Sequence, residues 1–168
     1  MLLIGIAIFA ITLWIALPFL SARRGVERTW DGVLASIANN DMIGFGEYLG
    51  DDYVDGFGLN RAEAVKLATA VRGHFVLCSF RREQSELTMD PSKKSAVSRG
   101  LIRIGGNGSP VAQAAIQASE ASQTPTSFRW RRNSWRPWDW RLVSIDNLDA
   151  ARAITRFQRE AGALGILP

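Results

Sequence analysis

Hydrophobic positions divide the chain into an unbroken apolar run, a helical half and a strand half. Met1 to Ala22 carry no charged side chain, and Thr12 is the lone clear polar residue before Ser21. Residues 26–49 then place Val26, Trp30, Val33, Leu34 and Ile37 at helical spacing, with Glu27, Arg28 and Asp31 off that stripe. Asn39-Asn40 breaks the period. Asp41 suits the N-cap of a second short helix carrying Ile43, Phe45 and Leu49, which Gly50 can end. DDYVDGFG, residues 51–58, reads as a short extended or turn segment.

A third helix has the clearest start. Asn60 precedes Glu63 by three residues, close to a capping box, and Ala64, Val65, Leu67, Ala68 and Val71 follow before Gly73. Beyond Gly73 the period falls to two. Residues 75–89 read as one long strand, apolar early and polar late. Residues 95–104 alternate along a second strand, with a Pro91 turn between the two. Residues 105–126, rich in Gly, Ala, Ser and Gln, read as a long loop with one or two helical turns around Val111–Ala118. Residues 127–146 read as a hairpin turning around Ser134–Pro137. Alternation puts Phe128, Trp130, Trp138, Trp140 and Leu142 on one face and Arg129, Arg131 and Arg141 on the other. A last helix is expected over Leu148–Ala161, within a C-terminal helix and tail of residues 148–168, where it offers a possible partner-docking face.

About 20 apolar residues cross a hydrocarbon core of ~30 Å, so residues 1–22 read as a single transmembrane helix. Trp14 and the Arg23-Arg24 pair suit its boundary. A cleaved signal peptide is the alternative, against which stand the missing basic n-region and the length of the run. Arg23, Arg24 and Arg28 after the run put the soluble part in the cytoplasm by the positive-inside rule; a periplasmic or extracellular placement is the other possibility.

With 168 residues the chain has room for one domain plus this appendage. At 47% hydrophobic and 21% charged it is not a disordered chain. The net charge of +4 is unevenly spread. Residues 25–63 hold two basic and eight acidic side chains, whereas 66–104 and 127–159 each hold eight basic and three acidic. An acidic helical part and a basic strand part can therefore satisfy one another within one fold. The single cysteine, Cys78, excludes an internal disulfide and a cysteine zinc cluster. The single histidine, His74, excludes a multi-histidine metal site. No metal ligand set and no cofactor motif is found.

The element order over residues 26–147 resembles the nuclear-transport-factor-2-like superfamily, the cone-shaped α+β fold shared with ketosteroid isomerase and scytalone dehydratase. Leu49–Phe57 looks like the superfamily's short aromatic strand before the third helix. Trp138–Asn147 looks like its last strand, with a Trp, alternating apolar residues and a closing Asp-Asn. The resemblance implies three N-terminal helices packed on a curved antiparallel sheet, with an apolar pocket at the wide end. Trp30, Tyr48, Tyr53, Phe57 and His74 are the expected pocket residues. The superfamily hosts enzymes, binding modules and assembly subunits, so the fold alone fixes no activity.

In the superfamily's enzymes an apolar cavity raises a carboxyl pKa, so that one acid donates a hydrogen bond while another acts as base. The central strands here offer only Glu83, Glu86 and Asp90, at polar ends or turns, and form no evident acid pair. His74, Asp51 and Tyr53 are the remaining catalytic candidates. Asp52 and Asp55 stand in the same cluster, which otherwise reads as a solvated, self-bonding turn. A binding or assembly module is therefore expected, a membrane-complex subunit or a homodimer, ahead of an isomerase- or dehydratase-like enzyme on a small apolar substrate. Arg129, Arg131 and Arg141, interleaved with tryptophans, are candidates for an anionic surface or nucleic acid. The modest net charge argues against nucleic acid.

Overall fold

The computed structural model describes residues 21–147. Three helices come first: α1 (Ala22–Ala38), α2 (Met42–Tyr48) and α3 (Arg61–Arg72). Strands β1 (Phe75–Met89) and β2 (Ser95–Gly108) follow, then α4 (Pro110–Ala121), β3 (Thr126–Arg132) and β4 (Trp140–Asp146). The four strands pair antiparallel in the order β1-β2-β3-β4. The result is an α+β fold with one curved sheet. Among the described residues no helix is long and apolar enough to cross a membrane. The expected anchor lies outside the described residues except for Ser21 and Ala22, which form the N-cap and first residue of α1. The helix of the domain thus begins four residues earlier than its apolar stripe suggested. The expected helix Leu148–Ala161 also lies outside the described residues.

Helix α1 lies on the sheet through Val26, Trp30 and Val33, all essentially inaccessible. Its small polar residues on the same side cost little, because Thr29 Oγ donates to the Gly25 carbonyl (3.0 Å) and Ser36 Oγ to that of Val33 (2.9 Å). Asn40, at φ 61°, turns the chain into α2, where the Asp41 carboxylate accepts from Gly44 N–H (2.9 Å). The Asn60–Glu63 capping box forms in both directions and starts α3 at Arg61.

Trp30 packs at 5.0 Å from Phe128 and 6.3 Å from Trp130, ring centre to ring centre. Such aromatic pairs contribute about 1 kcal/mol each beyond area burial. Trp140, Leu142 and Leu49 close the cluster. Trp130 Nε1–H donates to Ser98 Oγ across β2 and β3 at 2.7 Å, and both residues are buried.

Of the sheet's three register shifts, one lies at the start of β1 between Phe75 and Leu77 and two bend the sheet around α1. Between Glu83 and Glu86 the pairing of β1 with β2 slips by one residue, with Gln84 at φ 50°. Cys78 and Phe80 face inward before the slip; Leu87 and Met89 do so after it. The polar look of the distal strand comes from this change of phase. A second slip, between β3 and β4, pairs Phe128 with Ile145 and Trp130 with Leu142, so both Leu142 and Ile145 face inward. The hairpin therefore departs from strict alternation. Trp138 is a correction to that alternation, since it precedes β4 and is 45% exposed, whereas Trp140 is buried.

Residues 105–126 are the larger correction. β2 runs on to Gly108, and Pro110 at the first position opens a three-turn helix, α4, where a loop with one or two helical turns around Val111–Ala118 is expected. Of β2, only Ser95–Gly100 pairs with β3, so α4 occupies the space beside the rest of β2. Arg103 donates to the Ser119, Glu120 and Ser122 carbonyls at the end of α4 and pairs with Glu83. The segment after α2 runs along the outer edge of β4. Gly50 and Gly56 N–H donate to the Leu142 and Ile145 carbonyls, at 2.8 and 2.9 Å. That covers one sheet edge.

Ser98→Ala leaves the Trp130 indole N–H buried and unpaired. We expect a loss of about 1–3 kcal/mol in urea unfolding, and a smaller loss from the same substitution in a Trp130→Phe background, where the donor is absent.

Candidate functional site

The strand ends farthest from the start of α1 leave a hollow. It has a volume of about 350 Å³ and is walled by Ile37, Phe45, Phe57, Leu67, Phe75 and Ile104, among others. This is at the small end of ligand-pocket volumes. α3 supplies one side through Ala64, Leu67, Ala68 and Val71, where small residues leave the space unfilled. The bends in the sheet supply the other.

Three polar groups reach this wall: Asp55 and Arg72 are held by several hydrogen bonds, and Tyr53 by one long contact. Asp55 is 8% exposed. One of its carboxylate oxygens accepts from Phe57 and Leu59 N–H, at 2.9 and 2.8 Å. The other accepts from Tyr53 O–H at 3.4 Å. Arg72 donates through Nε and Nη2 to the Ala38 carbonyl at the end of α1, and through Nη1 to that of Phe75. It ties α1, α3 and β1 together. Tyr53 has the loosest contact. Burial, then the charge and hydrogen bond of Asp55, and then the charge of Asp146 hold its phenol far above the usual range. It enters the hollow as a neutral donor.

The expected site residues separate. Tyr53 and Phe57 line the hollow. Trp30 is a correction: it is a core residue, 1% exposed, with the Arg82 guanidinium 4.5 Å from its ring centre. Its Nε1–H has no hydrogen-bond partner among the described residues. Tyr48 does not line the hollow either, because it packs over Gly32 of α1, where a Cβ would meet its hydroxyl. His74 also falls outside it. Its Nδ1 is 3.2 Å from Ser109 Oγ and its carbonyl accepts from Ser109 N–H, which fixes the entry to α4. Among the described residues no carboxylate bonds its ring. Asp51 is exposed and pairs with Arg61. The aspartate cluster thus splits: Asp51 and Asp52 are solvated ion-pair partners, and Tyr53 and Asp55 are buried.

Asp55 belongs in sequence to a cluster that reads as a self-bonding turn or as a pocket rim, and the structure places it on the rim. Its signal was the Asp-x-Phe-x-Leu spacing, which lets one carboxylate bond two backbone N–H groups ahead of it. Cys78 follows Val76 and Leu77 and precedes Phe80 by two residues in β1. It is half-buried on the wall of the hollow, and desolvation pushes its thiol up, away from nucleophilic use.

The arginines of the hairpin face carboxylates. Arg131 forms a two-bond pair with Asp52, one arm of which is 2.7 Å. That hydrogen bond holds the Asp52 carboxyl below its usual range. Arg129 lies 3.5 Å from Asp146 and Arg141 3.6 Å from Asp139. Arg131–Asp52 joins the acidic segment before α3 to β3, and Arg82–Asp31 joins α1 to β1; with Asp146 and Asp139 beside Arg129 and Arg141, the hairpin face is not a bare cationic stripe.

No family model matches the sequence, and no curated protein is significantly similar to it. Solved structures are similar in shape. An NTF2-like protein from Cytophaga hutchinsonii shares 15% identity at a TM-score of 0.52, over 73% of this chain and 93% of that one. A protein assigned by name as a dehydratase of the NTF2-like family, from Streptomyces avermitilis, shares 13% at 0.53, over 74% and 93%. Bd1075 from Bdellovibrio bacteriovorus shares 7% at 0.55, and the chain spans 39% of its length. Identities this low speak for architecture alone, and the described residues have the nuclear-transport-factor-2-like α+β fold.

Proposed function

We propose that the domain is a binding module for a small, largely apolar molecule carrying one hydrogen-bond acceptor. The observation that carries this reading is the hollow between α3 and the sheet, walled almost wholly by carbon. An apolar occupant would gain about 25 cal/mol per Å² of buried surface. The Tyr53 hydroxyl, weakly held at 3.4 Å, is the donor free to turn toward a ligand carbonyl or ether. Residues 1–22 tether this module to a membrane in the same reading, because their uncharged length matches a bilayer core. Placement of the domain on the cytoplasmic side, and service as a homodimer or as a subunit of a membrane complex, belong to this proposal.

A second reading is an enzyme of the dehydratase or isomerase kind. Convergence of Tyr53 and Asp55 in one hollow favours it, as do neighbours of that name. Against it, one oxygen of Asp55 is held by two backbone N–H groups, the other faces Tyr53, and among the described residues no second carboxylate lines the hollow. Binding therefore comes first.

Native mass spectrometry of the full chain, gently extracted from its own membrane, tests both. A small-molecule adduct is expected on the wild type and at least tenfold less on Ala68→Trp or Ala64→Phe, each of which fills the hollow. No adduct, or an adduct that survives both substitutions, would overturn the binding reading. Recovery of the bound molecule chemically changed after incubation would put the enzyme reading first.

Tyr53 gives a pH test. Its folded pKa lies above its unfolded value of about 10. Its contribution to stability is therefore complete below pH 10 and falls away as the pH rises beyond it. Urea midpoints measured from pH 9 to pH 12 should drop less steeply in Tyr53→Phe than in the wild type.

A further inference from the structure

We propose that the end of the domain opposite the hollow is a membrane-docking surface for bilayers containing anionic lipids. The inference rests on the membrane tether proposed above and adds which face of the domain meets the lipid.

Three chain segments meet at that end. The first is the start of α1, directly after the apolar run. The second is the turn between β1 and β2, where the Lys94 carbonyl accepts from Arg132 N–H. The third is the turn between β3 and β4, residues 133–139. It is locked onto α1 at Gly25, where a Cβ would sit 2.3 Å from the Pro137 carbonyl and 2.9 Å from the Trp140 ring. Arg23 reaches across to the Leu87 carbonyl near the end of β1. The packing fixes these segments relative to the point where residues 1–20 join.

The side chains they present have an interfacial composition. Trp135 is 80% exposed and Trp138 45%, the two largest aromatic surfaces that the described residues leave in water. Arg136 stands 6.0 Å from the centre of the Trp135 ring. Arg24, Lys93 and Lys94 are exposed and take part in no ion pair among the described residues. They differ in this from Arg129, Arg131 and Arg141 on the sheet face, which meet carboxylates. Tryptophan prefers the headgroup layer, where its ring is apolar and its N–H stays hydrated. Lysine and arginine beside it are drawn to an anionic leaflet within a Debye length.

The commitment to lipid over protein comes from chain geometry. Ser21 is the N-cap of α1, so a membrane span ending near residue 20 leaves no linker to swing the domain away. Whichever surface surrounds the start of α1 must lie at headgroup level, and the exposed tryptophans and unpaired cations are there. The Trp138 and Trp140 pair, equivalent in sequence, divides accordingly: Trp140 closes the core and Trp138 faces out.

The test uses the full chain in vesicles of phosphatidylcholine and phosphatidylglycerol at 3:1. A polarity-sensitive fluorophore is placed on Trp135→Cys, and in a second chain on Gln113→Cys at the exposed start of α4, both carrying Cys78→Ser. Docking predicts blue-shifted emission at 135, shielded from aqueous iodide about fivefold better than at 113. Lys93→Glu with Lys94→Glu should bring quenching at 135 to within about twofold of that at 113, and added salt should do the same. Equal quenching at 135 and 113 in a chain that resists alkaline extraction would sink the docking and leave the tether standing. A chain that alkaline extraction releases would sink the tether, and the docking with it where 135 was unshielded beforehand. Shielding at 135 that appears in detergent and rises with protein concentration would assign the surface to a second copy of the chain and overturn the proposal.

Discussion

A sheet that wraps one helix has to bend, and the bends in this molecule depend on Trp30. Its ring needs Phe128 and Trp130 on the inner face and still has to clear β1 and β2. The two register slips solve this by turning each strand where the helix passes. They also decide which residues of β1 and β4 face inward. The hollow is the other result of the same bending. Past the last turn of α1 the strands of β1 and β2 run on without a helix of their own to cover them, and the small side chains of α3 do not reach far enough to fill the gap.

Buried polar groups follow the same economy. Arg72, Asp55 and Arg103 each tie loose backbone ends together: the end of α1, the turn before α3 and the end of α4. Each charge lies beside backbone groups that would otherwise be unpaired, which is the favourable way to hold a charge in a partly buried place. Trp30 Nε1–H is the exception among the described residues, and the cation over its ring faces the aromatic surface, not that hydrogen.

Much of this fold was legible in the sequence because local signals and tertiary demands agree. Asn60 and Glu63 mark a helix start by chemistry that works within four residues, and the helix begins there. The 75–89 strand was read at its true length. What stayed hidden depends on partners distant in sequence. Ala- and Gln-rich 110–121 reads as a loop until β2 offers an open flank and Arg103 closes the helix. Phase changes at Gln84 and Val143 leave no mark in a period-two pattern. The site was legible only where residue type forced it. Tyr53 and Phe57 are large aromatics in a short turn and had to find cover, whereas Trp30, Tyr48 and His74 were drawn elsewhere by the core, Gly32 and Ser109.

Helix α1 runs from the Trp135 end to the hollow, since Gly25 meets Pro137 and Ile37 lines the cavity. Its 17 residues span about 25 Å. A chain tethered at the start of α1 would therefore hold its binding site above the headgroups, out in the aqueous phase. An apolar molecule reaching it would leave the lipid and cross water, where its free concentration is lowest. Occupancy would then be set by the partition coefficient of the ligand as much as by the fit of the cavity. Such a domain samples what the membrane releases and is blind to what the membrane keeps.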